Sequence, residues 1–132
     1  MDYLLSNATE ILLLLFLIIT FIQSGIDKVF DWKGNLSWLK GHFADTPLKD
    51  LVPFLLGTIL FFEVIAGILC AIGIYQIVIL GENTIALYGA ITSCIALLML
   101  LFGQRMAKDY EGAKTIAVYF IPAIFLVYLL QI

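Results

Sequence analysis

Charge is scarce in this chain: of 132 residues only 13% are Asp, Glu, Lys or Arg, against 63% apolar. A soluble domain of this length needs many more polar residues to cover its surface. With a mean hydropathy of +1.09, water is not its main solvent. Nucleic acid is excluded as a partner, because no basic cluster is dense enough to neutralise a phosphate backbone. Cysteine is nearly absent too. Cys70 and Cys94 both lie in apolar runs, with no CxxC and no Cys/His spacing for zinc, iron–sulfur or haem, so they are read as small buried hydrophobes. Helical rise puts them about 10 Å apart in depth, which argues against a disulfide. His42 is the single histidine; with no metal cluster or catalytic partner near it in sequence, it is read as an interfacial or solvated residue.

Other absences narrow the reading further. No flavin or nucleotide fingerprint occurs, and no repeat, low-complexity tract or linker divides the chain, which is treated as one domain. Residues 1–10 carry Asp2 and Glu10 but no Lys or Arg, so the basic flank of a signal peptide is missing and the first apolar segment is expected to stay in the mature protein. Period-2 alternation is also missing, which sets aside membrane strands.

What remains is four apolar runs, at about 11–30, 51–74, 84–103 and 115–132. Each is close to the roughly 20 residues that cross a 30 Å hydrocarbon core as a helix. Helices also satisfy every backbone group in lipid. The fold class expected is an all-α membrane protein, a four-helix transmembrane bundle. Residues 31–50, 75–83 and 104–114 are the expected connections. Every Lys and Arg lies in or beside the first and third of these: Lys28, Lys33, Lys40, Lys49, Arg105, Lys108 and Lys114. The positive-inside rule then puts the first and third loops in the cytoplasm and both termini outside, as expected in a bacterial inner membrane. In the first loop Trp32, Leu36, Leu39 and Phe43 recur at helical spacing opposite Lys33, Ser37 and Lys40, predicting a short amphipathic helix in the interface that ends by Pro47.

The polar residues inside the spans are the candidate site. Thr20, Gln23, Ser24 and Asp27 form one stripe on the first span, expected to face protein. Lys28 follows and is expected to snorkel to the headgroups, the alternative being a pair with Asp27. Glu63 lies twelve residues beyond Leu51, roughly 18 Å along a helix and so near mid-bilayer. An acid there costs on the order of 3 kcal/mol, so it must be buried in the bundle. Ala66, Gly67, Cys70 and Gly73 continue its face. Gly89, Thr92, Ser93, Ala96 and Gly103, with Tyr88 nearby, offer a matching small-residue face on the third span. With no cation assigned to that depth, Glu63 is expected to be neutral, bonded to Gln23, Thr92 or Ser93, and Pro122 to kink the last span.

The third connection crowds charges of both signs, Arg105, Lys108, Asp109, Glu111 and Lys114. It reads either as a solvated turn or as a docking surface for a cytoplasmic partner or anionic headgroups.

SGIDK at 24–28, the loop containing Pro47, and GTILFFEVIAGILCAIG around Glu63 together resemble the DoxX family of small four-helix membrane proteins, most strongly over residues 16–103. The positions matching its recurrent polar pattern are Ser24, Gly25, Lys28 and Glu63. The resemblance implies a subunit of a membrane redox system, such as thiosulfate:quinone oxidoreductases, or a membrane partner of soluble redox enzymes. It supplies no catalytic residue. Three functions are therefore carried forward: a non-catalytic membrane subunit or scaffold with a protein partner, a quinone- or lipid-binding redox subunit using Glu63, Gln23 and Tyr88, and a small transporter. The first is preferred, since the chain has polar packing faces, no metal set and no reaction machinery of its own, and a transporter needs a polar path that the outer halves of the spans lack.

Overall fold

The computed structural model describes residues 2–132, and among them there is no strand. Helix α1 (Asp2–Ser6) leads into α2 (Ala8–Phe30), α3 (Trp32–His42), a 3-10 turn (Lys49–Leu51), α4 (Val52–Leu80), α5 (Thr84–Met106) and α6 (Tyr110–Gln131). Four of these, α2, α4, α5 and α6, are long and apolar enough to cross a membrane. They run up and down as a bundle, in which α4 packs between α2 and α5, and α6 packs on α5. The seam between α2 and α6 is looser and is closed by Phe16 stacked on Tyr119, with ring centroids 5.9 Å apart.

The connections are shorter than predicted. α4 does not stop at Ile74: Tyr75 and Gln76 stay helical, and the break comes at Gly81, whose φ of +71° is open to a residue without Cβ. The Tyr3 ring of α1 covers Gly81. Gln76 uses its side-chain oxygen to accept the Ile85 N–H at 3.0 Å, satisfying a backbone donor in the first turn of α5. At the other end α5 runs on to Met106, and Asp109 opens α6 by accepting the Gly112 N–H at 2.9 Å. Asn83 ties the α4–α5 turn to the end of α6 through the Leu130 carbonyl, 3.1 Å away.

The small-residue hairpin expected of the second and third spans is present. A Cβ on Gly73 would stand 2.6 Å from the Ala86 Cα, and one on Gly89 would stand 2.9 Å from the Cys70 backbone nitrogen. The buried face of α5 is Ala86, Gly89, Ala90, Ser93, Ala96 and Leu97, which keeps Gly89, Ser93 and Ala96 of the predicted face; Thr92 and Gly103 are half-buried and Tyr88 is exposed. Cys70 and Cys94 are buried free thiols, and Cys70 Sγ lies 3.9 Å from the Ser93 hydroxyl.

Helix α3 forms where the amphipathic spacing places it. Lys33, Ser37 and Lys40 are exposed, Trp32, Leu36, Leu39 and Phe43 half-buried, and no residue of α3 is fully buried. It lies across the bundle end that carries the basic residues, its Trp32 over Gly57 and Phe43 against Gly103.

Candidate functional site: an ion pair on the wall of an apolar cavity

Every Cα–Cβ bond in a helix tilts toward that helix's N-terminus. On α2 this aims Lys28 away from the basic end and into the bundle. On the antiparallel α4 it aims Glu63 the opposite way, toward the basic end. The two side chains meet: Lys28 Nζ is 2.8 Å from Glu63 Oε1 and also donates to the Ser24 hydroxyl, one turn earlier, at 2.6 Å. Gly25 keeps α2 close to α4 here, with Val64 and Leu60 packed where its Cβ would be. Ser24, Gly25, Lys28 and Glu63 thus converge on one spot.

Two expectations are corrected by this geometry. Lys28 neither snorkels outward nor pairs with Asp27; it is the cation that the sequence reading did not assign to the depth of Glu63. Nor do Gln23, Thr92 or Ser93 bond Glu63. Thr92 and Ser93 turn back on their own helix, to the carbonyls of Tyr88 and Gly89 at 2.8 Å each. Tyr88 is 57% exposed on the outside of the bundle and lines nothing with Glu63.

The whole polar stripe of α2, Thr20, Gln23, Ser24 and Asp27, lines an open groove of about 440 Å³ beside Phe16 and Tyr119, at the loose α2–α6 seam; Ser24 also accepts from Lys28. Gln23 and Asp27 are exposed there, so the expectation that the whole stripe faces protein fails for them. Thr20 is satisfied by the Phe16 carbonyl at 2.8 Å.

Glu63 is 2% exposed and Lys28 15%. The carboxylate Oε1 makes no aligned hydrogen bond despite its short approach to Nζ, so the contact is chiefly electrostatic. Lys28 also stands on the wall of a cavity of about 550 Å³ between α3, α4 and α5. That volume is in the range of small-molecule sites. Leu55, Leu56, Ile59, Leu98 and Met99 make its wall apolar; Asn35 and Gln104 add neutral amides. Lys28 is its one charged lining residue.

Sequence reasoning missed the contacts that hold α3 over one side of this cavity. His42 is not a solvated bystander: its Nε2 is 3.0 Å from Gln104 Oε1 and 3.6 Å from Asp109 Oδ2, and its ring stacks on Trp38 with centroids 4.5 Å apart. Trp38, Phe43 and Gln104 all line the cavity, so His42 fastens α3 down as its roof. Partners so far apart in the chain leave no local signal. Asp109 is therefore occupied, as a helix cap and as a partner of His42, whereas Arg105, Lys108, Glu111 and Lys114 remain exposed. Arg105 lies over the Tyr110 ring, 5.2 Å from its centroid. Replacing His42 with Ala is expected to speed hydrogen exchange across residues 32–42 while leaving the melting of the four long helices nearly unchanged; protection of α3 equal to wild type would show that the latch does not hold it.

Fold and site together define a four-helix membrane bundle with a Lys–Glu pair inside it, facing an apolar cavity under an amphipathic roof helix. Compared with protein-family models, with curated proteins and with solved structures, the chain matches none.

Proposed function

We propose that the protein is a DoxX-like, non-catalytic membrane subunit that holds a lipophilic molecule, a quinone or a lipid, in the cavity beneath α3. The observation that carries this reading is Lys28, paired with the buried Glu63 behind it, on the cavity wall. A structural staple needs no open space beside it, whereas here the ammonium faces a chamber of ligand size. An ammonium has three N–H donors; Ser24 takes one, and the Glu63 contact is not an aligned hydrogen bond, so donor capacity remains for a ligand oxygen. Because the pair is neutral as a unit, a neutral carbonyl or hydroxyl head suits it better than a strong anion.

The partner-binding reading keeps one specific support, the exposed Arg105, Lys108, Glu111 and Lys114 at the same end as the cavity roof. A partner seated there would touch the turn that holds His42. The transporter reading loses ground, since the bundle interior away from the pair is filled by Leu14, Leu17, Ile77 and Leu126.

Purification in mild detergent followed by mass spectrometry of extracted lipids tests the first reading. A quinone or lipid held at near one per chain, and lost from Lys28→Ala, is expected; its absence from the wild type overturns the proposal. The basic end belongs on the cytoplasmic side of an inner membrane, with both termini outside. Accordingly Glu82→Cys is expected to react with an impermeant maleimide on intact spheroplasts and Lys40→Cys only after permeabilisation. The reverse pattern would invert the topology.

A further inference from the structure

We propose that Lys28 is a carbonyl-capture site, forming an imine with a long-chain aliphatic aldehyde seated in the cavity; this rests on the cavity being a ligand site. Three observations meet at one nitrogen. Lys28 is the one lysine of the chain that is not exposed: Lys33, Lys40, Lys49, Lys108 and Lys114 all face outward. It stands on the wall of a cavity whose apolar lining includes Leu55, Ile59 and Met99, a surface suited to a linear alkyl tail. Finally, a proton acceptor is in place, since Glu63 Oε1 is 2.8 Å away, buried and without an aligned hydrogen bond. Glu63 is thus placed to take the proton that the ammonium must lose before its nitrogen can attack a carbonyl carbon.

The chemistry balances without an oxidant or reductant. The ammonium passes one proton to Glu63, and the freed nitrogen lone pair attacks the aldehyde carbon. A C–N bond forms, the carbonyl π pair moves to oxygen, and a proton shifts from nitrogen to that oxygen, with the Ser24 hydroxyl 2.6 Å away as relay. Glu63 then returns its proton to the carbinolamine hydroxyl; the C–O bond breaks, water leaves and the nitrogen lone pair closes the C=N bond. The product is a protonated imine with the Glu63 carboxylate as counter-ion. Net charge is therefore the same before and after. Exclusion of water favours the dehydrated product here, while imines on the exposed lysines hydrolyse.

The test uses the full chain in nanodiscs, with decanal and sodium cyanoborohydride, followed by intact mass and peptide mapping. A single decyl group on Lys28, appearing before any on Lys33 or Lys40, is expected. Glu63→Gln should slow it by about 100-fold, the usual scale for loss of a positioned proton acceptor. Lys28→Arg keeps a cation beside Glu63 and guards against a misfolded Gln variant; it should acquire only the slow surface adducts. Decanol, which has the same tail and forms no imine, reports the cavity separately by thermal shift. Decanol binding with Lys28 labelled no faster than Lys33 overturns the imine alone. No decanol binding overturns the cavity reading and the imine with it.

Discussion

Lys28→Met is expected to destabilise the protein by about 3–5 kcal/mol, the cost of leaving one member of a buried pair uncompensated. Both groups are mostly shielded, so solvent screening does not erase the effect. Glu63→Leu should cost a similar amount, because it strands the ammonium among apolar side chains. The double variant Lys28→Met/Glu63→Leu removes both charges at once and is expected to recover most of the loss, since apolar replacement of a whole buried pair is often neutral or better. Equilibrium unfolding in mixed micelles of all four proteins gives the coupling directly. Additive losses in the double variant would mean that the two residues do not interact. Recovered stability without recovered ligand binding would separate the role of the pair in the cavity from its role in the fold.

The second large effect lies at the α4–α5 hairpin. Gly73→Ala and Gly89→Ala are each expected to cost about 1–3 kcal/mol through overpacking, although alanine is the better helix former by about 1 kcal/mol. At both sites the added Cβ meets backbone atoms, Ala86 Cα at 2.6 Å and Cys70 N at 2.9 Å, which have no rotamer to change. Controls are supplied by the same chain. A Cβ at Gly41 meets nothing within 4 Å, and one at Gly57 only the Trp32 ring at 3.9 Å. Gly41→Ala and Gly57→Ala should therefore be neutral or slightly stabilising. If all four substitutions behaved alike in thermal unfolding, the close approach of the two helices would not be what the glycines provide.

How far the sequence carries toward this site depends on the kind of signal. The four long helices and α3 follow from composition and period alone, because lipid enforces helix and the polar face of α3 is repeated every turn. The α4 boundary was less visible. Tyr75 and Gln76 look like the end of an apolar run, yet nothing in them breaks a helix, and Gly81 is the residue that does. The α5 face is legible at Gly89, Ser93 and Ala96, all buried, with Thr92 half-buried at its edge.

The Lys28–Glu63 pair was hidden for a geometric reason. Residue counting gives depth along each helix separately, and it placed Lys28 at an edge and Glu63 at the centre. Opposed Cβ tilts on antiparallel helices, with long side chains on both, close that gap. One sequence signal does point there: Ser24 and Gly25, one helical turn before Lys28, supply the hydroxyl and the close helix approach that an inward lysine needs. For His42 there was no such signal, because Gln104 and Asp109 reach it only through the packing of α3 onto the end of α5.

The most direct measurement is a solid-state NMR distance in lipid bilayers between ¹⁵N at Lys28 Nζ and ¹³C at Glu63 Cδ. Strong dipolar dephasing of the Glu63 carboxyl by the Lys28 nitrogen is expected, as the 2.8 Å contact requires. A Glu63 carboxyl untouched by that nitrogen, with Lys28 dephased instead by lipid phosphate, would contradict the buried pair and the site built on it.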